Sequence, residues 1–194
     1  AAESVEQELY HVRERDKLPF LLWLLEHHAP RRCLVFVNTK RSGEWLDFKL
    51  FHNGWEAQLM SGDVAQKKRL KIVEDFRKGS VEVLVATDVA ARGLHVDDVD
   101  LVVNFDLPTD PEDYVHRIGR TGRAGKSGRA VALADEALVE NLPGIERLLG
   151  NKVPSFVVTS DQMLEDVGPS FGATMKAQRS TGARKERPKP RGRR

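Results

Sequence analysis

Short runs of β-forming residues alternate with helix-patterned segments along most of this chain, and few folds accommodate that order. Residues 33–38 (CLVFVN), 55–60 (WEAQLM), 81–87 (VEVLVAT), 99–105 (VDLVVNF) and 128–134 (GRAVALA) are strand-length and mostly apolar throughout. Such runs suit strands covered on both faces. Residues 5–12 are more polar and read as an edge strand. The segments between them carry helix punctuation. Asp16 opens one helix, with Pro19 in its first turn, where proline is tolerated. A second spans about 42–53 and stops at Gly54; a third is capped by Asp63 and stops at Gly79. A short helix falls near 89–92. Asp110 and Pro111 start another, which Gly119 ends. The last, from Asp135, is bent or broken at Pro143. Strands alternating with helices predict an α/β domain with a mostly parallel sheet and helices on both faces. Ligands then belong at the carboxyl ends of the strands. Asn38 and Thr39, Ser61 to Asp63, and Thr87 with Asp88 all follow apolar runs and are predicted to share one rim.

Residues 114–125 (YVHRIGRTGRAG) are the strongest local pattern. Arg117, Arg120 and Arg123 recur every three residues, with Gly119, Gly122 and Gly125 between them. Guanidinium groups are flat, permanently charged forks that match phosphate oxygens. Glycines permit sharp turns and close backbone approach. A solvated basic loop is the plain alternative. The helix expected over 110–119 favours a held position, because Arg120 and Arg123 would project from just past its end.

Charge and composition narrow the function classes. The formal net charge of +2 hides an asymmetry: residues 168–194 carry nine Lys/Arg against one Asp/Glu, which leaves the rest mildly acidic. That segment has few large apolar residues, so it is expected to be a disordered basic tail able to meet phosphate backbones without sequence preference. The single Cys33 excludes an internal disulfide. The histidines have no CxxC or HExxH companions, so a metal site has little support. No apolar run approaches the roughly 20 residues that span a membrane. The polar N-terminus shows no signal peptide, which points to the cytoplasm and to no membrane partner.

Two patterns mislead. Gly125, Lys126 and Ser127 look like the end of a P-loop, but Arg120 stands where its first glycine belongs, and the stretch precedes a strand instead of following one. Asp135 and Glu136 resemble a magnesium-holding strand end, yet Asp135 is more simply a helix cap. The chain therefore has residues suited to sensing phosphate but no complete nucleotide cradle.

Four ordered blocks, CLVFVNTK, SGDVAQKKR, LVATDVAARGLHV and YVHRIGRTGR, resemble the second RecA-like domain of DEAD-box RNA helicases over about residues 5–155. This divides the chain into a RecA-like domain (1–155), a short extension (156–167) and the basic tail (168–194). The resemblance implies one half of an RNA-dependent ATPase, inactive alone. The N-terminal RecA-like domain would carry the P-loop and the DEAD sequence. ATP with Mg2+ would bind jointly with that domain, and this chain would supply no metal ligand. Arg120 and Arg123 match the family's arginine fingers; His116 and Arg117 match positions linking the nucleotide site to the other domain. Asp88, Gly93 and His95 match the block beside the ATP ribose. His95 departs from the family's usual aspartate, so the imidazole replaces a fixed carboxylate. Asn38, Thr39, Gly62, Gln66, Arg69 and Thr87 match positions along the RNA groove. DVAQKKRL, ARGLH and ENLPGIERLLG are most similar to a bacterial branch associated with the RNA degradosome. That branch implies the scaffold of the degradosome endoribonuclease as a partner and RNA turnover as the setting. A partner-docking, RNA-binding module without activity of its own is the competing reading.

Overall fold

The computed structural model describes residues 4–122 and 127–181. Strands β1 (Val5–His11), β2 (Cys33–Phe36), β3 (Ala57–Met60), β4 (Val83–Ala86), β5 (Leu101–Asn104), β6 (Gly128–Ala134) and β7 (Ser155–Val157) form one sheet. Their order is β3-β4-β2-β5-β6-β1-β7, and every pairing is parallel. The helices are α1 (Lys17–His28), α2 (Lys40–His52), α3 (Gln66–Lys78), α4 (Asp88–Ala91), α5 (Pro111–Ile118), α6 (Leu142–Leu149) and α7 (Phe171–Thr181).

The central strands have two buried faces, which is why their sequences are apolar without a break. In β2, Leu34 and Phe36 join one apolar cluster, with Ile72, Val73 and Phe76 of α3, Tyr114 and Ile118 of α5 and Ile145 of α6. Cys33, Val35 and Val37 join the opposite cluster, with the leucines of α1 and with Leu46 and Leu50 of α2. Burial raises the pKa of the Cys33 thiol and keeps it a neutral packing group.

Four expectations need correction. β1 is not an edge strand: β6 lies on one side and β7 on the other. Its moderate polarity reflects a short, exposed neighbour, since all three residues of β7 are exposed. Asp63 does not cap α3, whose N-cap is Ala65 without a side-chain bond; the Asp63 carboxylate pairs with Lys40 instead. Asp16 opens α1 as expected, as its N-cap residue, while its carboxylate takes Arg13 at 2.6 Å instead of a helix amide. α2 begins two residues early, at Lys40, because Thr39 Oγ1 accepts the Ser42 amide. Other punctuation agrees with the chain's reading. Gly79 closes α3, and Asp110 accepts the Glu112 amide at the head of α5. The helix expected from Asp135 is the remaining correction: residues 136–138 are a turn and Val139–Asn141 a 3-10 turn, so α6 starts only at Leu142, with Pro143 in its first turn, where it does not break the helix.

The C-terminal segment is bound to the domain further than its composition suggests. Leu164 N–H donates to Pro19 O at 3.0 Å. The Lys49 ammonium, on α2, reaches Asp166 Oδ2 at 2.6 Å and the Pro169 carbonyl at 2.9 Å. Asn53 Nδ2 donates to Asp166 Oδ1, and Asn53 Oδ1 accepts the Val167 amide. Burial works to raise the Asp166 pKa, but the bonds from Asn53, Lys49 and Gly168 outweigh it and hold the carboxyl below its ordinary range. Phe171 then meets Phe48 edge-on at 5.2 Å. This strap carries the chain across α1 and α2 into α7, so residues 171–181 are helical where a disordered tail was expected. Residues 182–194 of that tail lie outside the described residues.

Candidate functional site

Because all strands are parallel, their carboxyl ends lie on one edge. Asn38 and Thr39 follow β2, Gly62 follows β3, and Thr87 and Asp88 follow β4. Since β3, β4 and β2 are neighbours, these loops form a continuous rim, as the alternation predicts. Gln66 is exposed at the first position of α3. Arg69 lies one turn on and donates to the Ala90 carbonyl at 3.0 Å, which ties α3 to α4. Gly62 is exposed, and a Cβ there would meet nothing within 4 Å.

The arginines reach the site from α5. Tyr114, Arg117 and Ile118 share its core face by the i, i+3, i+4 rule, so the spacing that buries an aromatic and an isoleucine also carries a guanidinium inward. Arg117 is 1% exposed. Its Nε donates to Asp88 Oδ1 at 2.7 Å and its Nη2 to Asp88 Oδ2 at 2.6 Å, a bidentate fork. Nη1 donates to Asn104 Oδ1 at 3.2 Å and to the Asp106 carbonyl at 2.7 Å, and Nη2 also reaches Asn38 Oδ1 at 2.9 Å. A guanidinium has five donors. All five are used, and none is left for a ligand. Arg117 therefore joins the ends of β2 and β5, α4 and α5. Asn38 belongs to the same joint: its amide donates to Asp106 Oδ2 at 2.9 Å and its Nδ2 to the Leu107 carbonyl at 2.9 Å.

The joint continues through a buried lysine. Lys17, 3% exposed, donates to Asp106 Oδ1 and Asp135 Oδ2, both at 2.7 Å, and lies over the Phe105 ring. The amides of Ala137 and Leu138 complete Asp135. Burial alone would raise the Asp135 pKa; Lys17 and the two amides hold it below the ordinary carboxylate range. Asp135 thus caps a turn where a helix cap was expected, and its second oxygen is consumed by Lys17. Two buried carboxylates around one ammonium are tolerable only because backbone donors supply the remaining bonds. Lys17, Asn104 and Asp106 were missed by the sequence reading. A lysine inside the first turn of an otherwise apolar helix is the signal that could have found the first of them.

A cavity of ≈ 280 Å³ opens between α4 and α5, lined by Phe36, Asp88, Ala91, Arg92, Gly93, Asp113, His116, Arg117 and Arg120. Five of the predicted site residues therefore meet there: Asp88, Gly93, His116, Arg117 and Arg120. Gly93 adopts φ +79°, a conformation that side chains resist, and it exposes backbone to the cavity. His116 is exposed on the face of α5 opposite the core. Arg120 lies just past the helix end, 21% exposed, with Nη1 at 3.2 Å from both the Leu94 carbonyl and Asp97 Oδ1. Gly122 is the glycine the turn requires: at φ +69° its Cβ would stand 2.9 Å from Val5 Cγ2. Gly119, at φ −66°, has ordinary geometry. His95 is exposed and does not line the cavity; its carbonyl accepts from Arg77. Arg123, Gly125 and Lys126 lie outside the described residues. No group of three or more His, Cys, Asp or Glu suited to a metal occurs among the described residues. No described helix is long and apolar enough to cross a membrane.

The helicase conserved C-terminal domain model matches residues 16–125. The E. coli DEAD-box protein SrmB, solved bound to regulator of ribonuclease activity A, superposes with a TM-score of 0.77 at 33% identity, covering 86% of this chain and 98% of that one. This chain belongs to the DEAD-box family, as a helicase C-terminal domain. Among curated DEAD-box relatives, the ATP-dependent RNA helicase RhlB of Idiomarina loihiensis is 48% identical over 193 residues, which is 100% of this chain and 45% of that protein. The chain thus spans less than half the length of the curated relatives it matches. S. cerevisiae Dbp5, a longer family member solved with RNA and ADP BeF3, gives a TM-score of 0.72 at 33% identity over 79% of this chain and 42% of that one.

Proposed function

We propose that this chain supplies the C-terminal half of an ATP-dependent RNA helicase, acting in the cytoplasm in RNA turnover. The observation that carries the reading is the cavity, where Asp88, Gly93, His116 and Arg120 converge beside a rim that bears the six candidate RNA contacts. ATP, with Mg2+, would lie between this cavity and an N-terminal RecA-like domain holding the P-loop. Arg120 and Arg123 would neutralise charge on the transferring phosphoryl group. Arg117 is a positioning residue: saturated by protein partners, it holds Asp88 and Asn38 so that the nucleotide cavity and the RNA rim move as one piece. His116 and Asp88 would face the nucleotide and the incoming domain. His95, outside the cavity lining, has the weakest support as a ribose contact. Asn38, Thr39, Gly62, Gln66, Arg69 and Thr87 would meet phosphate and ribose, which fixes RNA without reading its sequence.

Docking is a second role for the same domain. It is favoured by the SrmB structure, whose domain is held by a ribonuclease regulator, and by the strong likeness to RhlB. The scaffold of the degradosome endoribonuclease is the partner this reading names, and residues 182–194, with seven Lys/Arg, would add RNA affinity.

If the closed state is favoured by ATP and RNA together, each must tighten the other. In the two-domain protein, a non-hydrolysable ATP analogue should raise affinity for single-stranded RNA at least tenfold, and Gln66→Ala with Arg69→Ala should remove that gain. Fluorescence anisotropy with labelled RNA reads both. Equal RNA affinity with and without the analogue would contradict the proposal.

A further inference from the structure

Three arginines line the cavity, and they are held to very different degrees. Arg117 is locked by a bidentate carboxylate and three further acceptors. Arg120 is half-buried against Asp97 and a carbonyl. Arg92 is 69% exposed and reaches Asp113 Oδ1 through Nη2 alone, at 3.0 Å. That single bond joins the end of α4 to the first turn of α5, the two walls of the cavity.

We infer that the Arg92–Asp113 pair is a latch across the nucleotide cavity, in which Asp113 holds Arg92 until a phosphate group takes it. The inference rests on the helicase reading and adds a positioning residue, Asp113, and a phosphate contact, Arg92. The charges facing the pair make the exchange favourable. Asp88 is neutralised by the fork of Arg117, so it does not compete for Arg92. Arg117, Arg120 and His116 are the other titratable groups on the lining; Arg117 is spent on protein acceptors, and the permanent charge of Arg120 favours an arriving polyanion. Asp113 can be left alone at little cost: it sits in the first turn of α5, where the helix dipole favours a negative charge. Arg92 directly precedes Gly93, whose positive φ swings the chain away from α4 and leaves the guanidinium facing solvent at the cavity mouth. The pair joins a 69% exposed arginine to an 18% exposed aspartate through one bond, so it is the least costly of the three to break. A phosphate offers two oxygens to both arms of the fork, where Asp113 engages only one.

The test measures KM for ATP in RNA-stimulated hydrolysis by the two-domain protein carrying Asp113→Asn, Arg92→Gln or both. Removing the competitor should lower KM, by up to about fivefold, the equivalent of about 1 kcal/mol for a single-bonded pair with one exposed partner. Arg92→Gln should raise KM about tenfold, as loss of a charge-assisted bond to phosphate does. The double variant should follow Arg92→Gln, since Asp113 acts only through Arg92. Each effect should fall on KM more than on kcat, because the contact forms in the ground state. A purely structural pair predicts the opposite pattern, with both single variants shifting KM in the same direction. That result, or a KM unmoved by Asp113→Asn, overturns the latch; Asp113→Ser replaces Asp113→Asn should the latter shift the unfolding midpoint. A wild type that hydrolyses no ATP with RNA overturns the helicase reading and the latch together, whereas an active wild type with unmoved variants overturns the latch alone.

Discussion

Arg120→Ala in the two-domain protein should lower RNA-stimulated ATP turnover by about 10³–10⁵, the range for removal of an arginine finger. That loss corresponds to roughly 4–7 kcal/mol of barrier. Stability should hardly change. The side chain is 21% exposed, and its described bonds are two 3.2 Å contacts from one nitrogen, so the interaction lost with it is worth less than about 1 kcal/mol. RNA binding without nucleotide should persist, because Arg120 lies in the cavity and not on the rim. Arg123→Ala carries the same expectation for turnover. Steady-state hydrolysis with saturating RNA, beside a denaturation curve for each variant, separates the effects. Unchanged turnover in both variants would refute the finger assignment.

Arg117→Ala should do the reverse and strike the fold first. It strands the Asp88 carboxylate, Asn104 Oδ1, Asn38 Oδ1 and the Asp106 carbonyl, all of which lose a donor at once. Removing one partner of a buried ion pair costs about 3–5 kcal/mol. Asp88 keeps some solvent access, with 23% of its side chain exposed, so the lower end, about 3 kcal/mol, is expected. Arg117→Lys should recover little, since an ammonium cannot reproduce the planar fork or reach four partners. Asn104 sharpens the case. It is fully buried, and its Nδ2 has no hydrogen-bond partner among the described residues, so the arginine provides the one described hydrogen bond of its side chain. The denaturant midpoint measures the loss; a cost below about 1 kcal/mol would mean that water replaces the joint and that Arg117 is free for a ligand.

These contrasting outcomes come from one sequence pattern. Arg117 and Arg120 stand three residues apart with the same chemistry, and both border the cavity, yet one is enclosed by protein acceptors and the other keeps donors open to it. The difference is the end of α5. Up to Ile118 the helical period decides which face a residue occupies, and Arg117 follows Tyr114 inward; beyond it the chain turns and Arg120 is released to the wall. The helix boundary was legible from Asp110, Pro111 and Gly119, but the burial of an arginine on its core face was not weighed. The parallel sheet was legible because buried strands leave a continuous apolar signature, as in residues 33–38 and 101–104. The rim followed from it, since parallel strands end on one edge.

What remained hidden is non-local. Lys17 meets Asp106 and Asp135 from 89 and 118 residues away, and no local pattern announces such a pairing. Asp63 looked like a cap because caps are local, but Lys40, at the head of α2 on the same carboxyl rim of the sheet, won the carboxylate. β7 is three exposed residues and carries no periodicity to read. The segment after residue 168 has the composition of a disordered tail, yet Phe171 finds Phe48, and Lys49 takes the carbonyls that precede the helix. Composition describes what a segment can bury by itself; it says nothing of what a neighbouring helix offers.

The proposed divided ATPase site is tested by measuring ATP hydrolysis by this chain alone and when covalently joined to its N-terminal RecA-like domain, each with and without single-stranded RNA. Turnover is expected only for the joined protein with RNA. Strong hydrolysis by this chain alone, or none by the joined protein with RNA, would contradict it.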